Sequence, residues 1–126
     1  MIKTILLIGS GGFVGSVLRY FVQQWFVQLS DSKIPWGTFT ANILGSLIIG
    51  IIYAFVEKQG YFSQELRLLF AVGFCGGFTT FSSFAAENFQ LIKYGDFLSF
   101  AIYTSISVIS GLLAVWAGMM VVKTLS

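Results

Sequence analysis

The residues between Leu68 and Ala86 constrain this chain more than any other segment, because they carry no charge and are mostly apolar. Within them lies the run Gly73-Phe-Cys-Gly-Gly-Phe-Thr-Thr-Phe-Ser-Ser-Phe84. Glycine inside a helix costs about 1 kcal/mol relative to alanine. Irregular backbone at membrane depth persists only where protein buries it or a cavity solvates it. We therefore predict a membrane-spanning helix that breaks near its middle, as an ion pathway requires.

The composition predicts an all-α integral membrane protein. The chain has 126 residues, of which 56% are hydrophobic and only 10% charged, whereas a soluble domain carries about 25% charged residues. A span takes about 20 residues, so the chain has room for four spans and little else. We expect a single four-helix transmembrane domain over residues 1–126, with spans at about residues 4–30, 34–56, 66–91 and 97–122.

Short connections between these spans force neighbouring spans to run antiparallel, so both termini lie on one side of the membrane. Four cationic side chains fall on the terminal side and two on the other, or three if Arg19 reaches that side. The terminal set is Lys3, Lys58, Arg67 and Lys123, and the opposite pair is Lys33 and Lys93. This is a weak bias under the positive-inside rule, and it permits insertion in both orientations.

Several function classes are excluded by the residue content. The net charge is only +2 with no basic cluster, so nucleic acid is not an expected partner. Histidine is absent and Cys75 is the only cysteine, which leaves no intrachain disulfide and removes the usual metal ligands. Glu87 and Asn88 have no partner base, and no glycine motif for phosphate is followed by lysine. The chain is not expected to be an enzyme.

Polar side chains recur on one face of two spans. Thr38, Asn42 and Ser46 lie on one face of span 2, and Tyr103, Ser107 and Ser110 lie on one face of span 4. Facing each other, these stripes would form a narrow path lined by hydroxyl and amide groups. Alternatively, each hydroxyl bonds a carbonyl of its own helix, although the larger amide of Asn42 is not satisfied so easily.

Phenylalanines form a second pattern on span 3, where Phe81 and Phe84 share a face with Phe78 or Phe74. Such a stripe is usually packing or lipid contact, but the positive edge of an aromatic ring can also coordinate an anion weakly. Glu87 is either a proton-coupled carboxylate or a group in a water-filled vestibule. From the residues alone, the chain is interpreted as a small-ion channel.

These motifs resemble those of the Fluc (CrcB) family of bacterial fluoride channels along essentially the whole chain. The resemblance rests on Gly11-Gly12-Phe-Val-Gly15 with Arg19-Tyr20, on Gly37-Thr38 with Asn42-Ile-Leu-Gly45-Ser46, and on the run from Gly73 to Phe84. It implies a passive channel, highly selective for fluoride, that exports fluoride from the cytoplasm across the bacterial inner membrane. It also implies an antiparallel, dual-topology homodimer with two pores and a structural sodium ion on its two-fold axis.

The resemblance further implies roles for individual residues. The pore would be lined by Phe81, Phe84, Asn42, Thr80, Ser83, Tyr103, Ser107 and Thr38. Glu87 and Arg19 would lie in vestibules, and the backbone carbonyls of Gly76 and Thr79 would hold sodium.

Two other classes remain as alternatives. A small proton-coupled multidrug exporter of the four-span, dual-topology type would depend on a carboxylate in the first span, and span 1 has none. A scaffold without transport activity would give no ion flux and would tolerate Phe81→Ile.

Overall fold

The computed structural model describes residues 1–58 and 62–125, and in this part of the chain every regular element is helical. Four helical stretches are long and apolar enough to cross a membrane. They are α1 (Ile2–Leu29), α2 (Trp36–Glu57), a composite third span (Gln64–Lys93) and α6 (Phe97–Leu125). The prediction of an all-α protein with four apolar spans is confirmed. The predicted connection from Glu57 to Glu65 lies partly outside the described residues.

The third span begins with three consecutive helical pieces. One turn of α-helix, α3 (Gln64–Leu66), starts where the Ser63 hydroxyl accepts a hydrogen bond from the Leu66 N–H at 3.2 Å. This satisfies a backbone donor that a helix start leaves unpaired. A π-helical segment (Arg67–Cys75) follows, and then a further α-helical turn, α4 (Gly76–Phe78).

Two residues with extended backbone separate α4 from the last piece of the third span. Thr79 has φ −88° and ψ 156°, and Thr80 has φ −150° and ψ 119°. α5 (Phe81–Lys93) then completes the span. The chain turns into α6 at Gly95, whose φ of +77° lies in the left-handed region. Glycine adopts this conformation at no steric cost, which explains its use at the end of a helix.

Ion pairs at the two ends of the bundle define how the spans are arranged. The Lys3 Nζ lies 2.6 Å from Glu65 Oε1, so α1 and the third span start side by side. The Lys33 Nζ lies 3.7 Å from Asp96 Oδ2, so α2 and α6 start together at the opposite end. α1 is therefore parallel to the third span, α2 is parallel to α6, and the two pairs run antiparallel.

Close packing within each parallel pair depends on glycine. A Cβ atom on Gly15 of α1 would overlap the carbonyl oxygen of Phe74 in the π-helical segment. A Cβ atom on Gly118 of α6 would overlap the carbonyl oxygen of Leu47 in α2. Small residues let helix backbones touch directly in a membrane, and these glycines allow that contact within each parallel pair.

The interior of the protomer is polar at its most buried point. The largest fully buried side chains are Tyr103 and Thr38, while large apolar side chains such as Phe13, Trp25 and Leu112 are exposed. In water this distribution would be unfavourable, but lipid is as apolar as these side chains. The polar centre is where the predicted site residues gather.

Candidate ion pathway

We call the two residues with extended backbone, Thr79 and Thr80, the extended step. A side chain from α2 is hydrogen-bonded to it. The Thr80 N–H donates to Asn42 Oδ1 at 2.7 Å, and Asn42 Nδ2 donates to the Thr80 carbonyl at 3.2 Å. Each backbone group left unpaired in a buried site would cost about 1–3 kcal/mol. The Asn42 amide therefore gives the Thr80 N–H the acceptor that the interrupted helix no longer supplies, and it adds a donor to the Thr80 carbonyl.

Side chains also redirect the donors that a continuous helix would send to two carbonyl groups. An α-helix pairs each carbonyl with the N–H four residues later. The Gly76 carbonyl would pair with the Thr80 N–H, which instead donates to Asn42. The Thr79 carbonyl would pair with the Ser83 N–H, which instead donates to the Thr80 hydroxyl at 3.1 Å. Gly76 and Thr79 thus lose their helical donors at the same step.

Arg19 of α1 binds the step from the other side. Its Nε donates to the carbonyl oxygen of Gly77 at 2.9 Å, and the side chain is half-buried. A cation at the carbonyl end of a helical turn is electrostatically favourable. The structure therefore places Arg19 at the end of α4.

A cavity of about 480 Å³ adjoins the step, between α2, the third span and α6. Seven predicted site residues line it: Asn42, Gly76, Thr79, Thr80, Phe81, Phe84 and Ser107. The Ser107 Oγ is buried without a hydrogen-bond partner among residues 1–58 and 62–125. No carboxylate, ammonium or guanidinium group is among the described lining residues. The cavity therefore offers hydroxyl groups and ring edges between apolar walls.

Aromatic rings connect this cavity to the interior. The ring centroids of Phe81 and Phe84 are 5.9 Å apart, and those of Phe84 and Tyr103 are 5.1 Å apart. Phe81 is 78% exposed at the rim of the cavity. Phe78 does not continue this stripe, because it is buried and stacks on Phe74 at 5.4 Å. The extended step between Phe78 and Phe81 interrupts the helical register that the sequence pattern assumed.

Glu87 is the centre of a hydrogen-bond network that joins α5 to α2 and α6. The Thr38 hydroxyl donates to Glu87 Oε2 at 2.6 Å, and the Tyr103 hydroxyl donates to Glu87 Oε1 at 2.8 Å. Gln23 Nε2 of α1 donates to Thr38 Oγ1 at 3.0 Å, which leaves the Thr38 proton for Glu87. Hydrogen bonds to a carboxylate are stronger than neutral ones. The carboxylate of Glu87 thus connects α5 directly to α2 and α6.

Gln23 is a site residue that the sequence interpretation missed. It lies four residues after Arg19 on α1, and residues four apart share a helix face. It also lines a small space of about 120 Å³ together with Thr38 and Glu87. The four-residue spacing from Arg19 was the sequence feature that could have indicated Gln23. Ser83, by contrast, contacts the step through its backbone N–H rather than by lining the cavity.

The two polar stripes expected on spans 2 and 4 face each other at two levels. Thr38 and Tyr103 meet on the carboxylate of Glu87. One turn further along, Asn42 and Ser107 line the same cavity. The polar side chains therefore follow one line from the Glu87 network to the step, past the ring of Phe84.

Comparison with known proteins identifies the family of this chain. Residues 6–119 match the family described as "CrcB-like protein, Camphor Resistance (CrcB)". The chain belongs to the CrcB family. A CrcB relative from Leptospira interrogans serogroup Icterohaemorrhagiae serovar copenhageni, named fluoride-specific ion channel FluC, is 45% identical over 96% of this chain and 95% of its own length.

Other CrcB relatives match along a similar length. Proteins of the same name from Flavobacterium psychrophilum and Rhizobium johnstonii are each 42% identical. The first match covers 98% of this chain and 99% of the relative, and the second covers both chains completely. Their names describe an ion channel rather than an enzyme, and they give no support to the multidrug-exporter alternative. Together with four apolar spans, they make this chain a multi-pass protein of a bacterial membrane.

Proposed function

We propose that this protein is a passive, fluoride-selective channel that lets fluoride leave the bacterial cytoplasm. The observation that carries the proposal is the cavity beside Thr79 and Thr80, whose lining offers hydroxyl groups and phenylalanine rings. It occurs in a chain that is 45% identical, over 96% of its length, to a protein named fluoride-specific ion channel. Conduction requires binding that is weak enough for release, which suits a path without a fixed cation.

The proposed path follows the polar side chains described above. Fluoride is small and strongly hydrated, so hydrogen-bond donors must replace the water that it loses. Hydroxyl groups and ring edges supply these donors along the path, and Asn42 positions the peptide of Thr80. The proposed lining is Thr38, Asn42, Thr80, Phe81, Ser83, Phe84, Tyr103 and Ser107, with Glu87 and Arg19 in vestibules.

We propose a homodimer because a single protomer leaves this path open on one side. Phe81 lies at the rim of the cavity and is 78% exposed, although its ring is the outermost of the proposed lining. A second copy would cover this side and complete two pores. The weak charge bias between the two ends supports an antiparallel, dual-topology arrangement.

A structural sodium ion is part of this proposal. Hard cations prefer oxygen ligands, and the carbonyls of Gly76 and Thr79 have lost their helical donors to Asn42 and Thr80. The Gly76 Cα also faces open space, since a Cβ placed there would meet nothing within 4 Å. One protomer supplies only two such carbonyls, so a second copy would complete the ligand set on the two-fold axis. The donor chemistry therefore fits the ion.

Fluoride efflux from liposomes tests the proposed channel. Purified protein would be reconstituted with a potassium gradient, and a fluoride electrode would record efflux after addition of valinomycin, with chloride measured in parallel. We expect rapid fluoride efflux that depends on valinomycin, with negligible chloride flux. Efflux only under an imposed proton gradient would contradict a passive channel.

The assignment of the pore is tested by substitution. Phe81→Ile should reduce fluoride flux strongly without unfolding the protein, because Phe81 is exposed in the protomer. Phe89→Ile is the matched control, since Phe89 is also on α5 and 62% exposed but does not line the cavity. Normal flux in both Phe81→Ile and Phe84→Ile would disprove the assigned path.

The sodium ion is tested separately from conduction. Exhaustive exchange of sodium for a large organic cation should reduce both fluoride flux and the fraction of dimer on size-exclusion chromatography. Unchanged flux and assembly after exchange would argue against a structural ion while leaving the channel intact.

A further inference from the structure

A third space opens at the end of the bundle where α5 turns into α6. It has a volume of about 380 Å³, and Glu87, Lys33 and Asp96 are among its lining residues, with Tyr94 and Pro35 beside them. Residues 94–96 connect two membrane spans, so this end of the space lies at the membrane surface. We call it the entry chamber. It places two anionic side chains and one cationic side chain around one opening.

The charged groups of the entry chamber are held in defined positions. The Lys33 Nζ lies 3.7 Å from Asp96 Oδ2, with the Lys33 side chain 77% exposed and that of Asp96 21% exposed. Asp96 Oδ1 also accepts a hydrogen bond from the Ser99 N–H at 3.1 Å. Hydrogen bonds from Ser99, together with the charge of Lys33, lower the pKa of Asp96 below its ordinary value. Asp96 is therefore negatively charged beside Lys33 at neutral pH.

The entry chamber adjoins the proposed path at Glu87. Glu87 lines both the entry chamber and the smaller space beside Gln23 and Thr38. The same carboxylate accepts the hydrogen bond from Tyr103, whose ring contacts Phe84 at the cavity. An anion that enters between Lys33 and Asp96 would therefore arrive at the polar end of the path.

We propose that the entry chamber is the mouth of the anion route and that the Lys33–Asp96 ion pair sets the rate at which anions enter it. This inference rests on the proposed channel function. Lys33 is the cation among the described residues that line the chamber, and it faces the carboxylates of Asp96 and Glu87. Asp96 partly cancels the attraction that Lys33 exerts on an anion, so the pair limits the local anion concentration.

Electrostatic steering supports this role for two surface charges. Charge in a cleft with apolar walls raises the local concentration of the opposite ion and its rate of entry by about 10-fold or more. The effect depends on salt, because the Debye length falls from about 30 Å at 0.01 M to about 3 Å at 1 M. A purely structural ion pair would not make conduction depend on salt in this way.

Two substitutions with opposite expected effects test the proposal. Asp96→Asn leaves the charge of Lys33 uncompensated and keeps a side chain that caps α6, since asparagine is as good a helix cap as aspartate. Lys33→Gln removes the attractive charge. In liposomes at about 0.01 M ionic strength, we expect Asp96→Asn to raise fluoride flux about threefold and Lys33→Gln to lower it about threefold. At about 1 M, both fluxes should approach that of the unmodified protein.

The control is Lys93→Gln, which removes the same charge from the same end of the bundle. Lys93 is an exposed residue at the end of α5 and does not line the entry chamber. Its flux should stay close to that of the unmodified protein. An equal effect from Lys93→Gln would show that only the overall surface charge matters, which would overturn the role of the ion pair.

Three further outcomes separate the hypotheses. A decrease in flux in both Lys33→Gln and Asp96→Asn, or an effect independent of salt, would mean that the pair only stabilises the fold. Unchanged flux in both variants beside a conducting unmodified protein would overturn this inference alone. Absence of fluoride flux from the unmodified protein would overturn the proposed channel and this inference with it.

Discussion

The two halves of the third span meet the rest of the bundle in different ways. Before the extended step, the π-helical segment touches α1 through backbone atoms. Gly11 faces the Leu69 carbonyl oxygen, and Gly15 faces that of Phe74, too closely for a Cβ atom on either glycine. Contact of this kind depends on the absence of side chains, and it fixes the separation of the two backbones within a narrow range.

After the step, α5 meets its neighbours through polar side chains. Glu87 accepts hydrogen bonds from Thr38 of α2 and Tyr103 of α6. Such bonds can be weakened or exchanged while the helices stay in place, because each contributes only about 1–3 kcal/mol. The difference indicates that the first half fixes the position of the step, while the second half presents exchangeable polar groups to a passing ion.

The largest expected effect comes from a change in the first half. Gly15→Ala places a methyl group on the carbonyl oxygen of Phe74, and overpacking of this kind costs about 3 kcal/mol. We expect a large loss of monodisperse protein on size-exclusion chromatography and a lower midpoint of thermal unfolding in detergent.

Gly9→Ala is the matched control for Gly15→Ala. A Cβ atom on Gly9 meets nothing within 4 Å, and alanine is favoured over glycine in a helix by about 1 kcal/mol. This variant should be as stable as the unmodified protein or slightly more stable. Equal behaviour of the two variants would remove the distinction between the two halves.

The next effect concerns the step itself. Asn42→Ala leaves the Thr80 N–H without its acceptor and removes one donor from the Thr80 carbonyl, at a cost of about 3 kcal/mol. Both fluoride flux and thermal stability should fall. Asn42→Asp retains the acceptor for the Thr80 N–H, so its fluoride flux and thermal stability should lie between those of the unmodified protein and Asn42→Ala. A stable, conducting Asn42→Ala protein would contradict the positioning role of this amide.

A smaller effect is expected within the second half. Tyr103→Phe removes one hydrogen bond to Glu87 and should lower the free energy of unfolding by about 2 kcal/mol. Fluoride flux should change more than assembly does. Tyr53→Phe is the matched control, because Tyr53 is 49% exposed and lines neither the cavity nor the entry chamber. A loss of assembly as severe as in Gly15→Ala would mean that both halves are equally rigid.

The smallest effect is expected from acid at the far end of α5. The pKa of Asp96 is lowered chiefly by its hydrogen bonds to Ser99, so its contribution to stability is present above its ordinary pKa of about 3.9. That contribution is lost as the pH falls through the lowered value. The difference in melting temperature between the unmodified protein and Asp96→Asn should therefore be constant near neutrality and vanish in strong acid. A difference that stays unchanged from neutral pH into strong acid would contradict the assignment.

Apolar length predicted the spans well but not their ends. The second span was expected from residue 34 to 56 and is helical at Trp36–Glu57, and the third was expected from 66 to 91 and extends over Gln64–Lys93. Helix ends depend on local caps such as Ser63 and Gly95. Hydrophobicity does not report caps, because they act through single hydrogen bonds and backbone angles.

Helical spacing indicated which polar residues share a helix face, but not which groups they contact. The sequence placed Thr38, Asn42, Tyr103 and Ser107 on inward faces because helical spacing determines which residues share a face. It did not indicate that Asn42 binds the backbone of Thr80 rather than remaining available as a donor. That contact joins residues 38 positions apart, and no local pattern encodes such a distance.

Composition and residue spacing were sufficient to predict that the protein lies in lipid, that it has four spans, and which segment would gather polar groups. These properties follow from local composition and spacing, since a lipid environment requires long apolar helices. Three features became apparent from the packed helices alone: α1 pairs with the third span, Phe78 leaves the phenylalanine stripe, and Gln23 joins the network at Glu87. Those outcomes depend on which backbones approach most closely, and that is a property of the assembled helices rather than of any one of them.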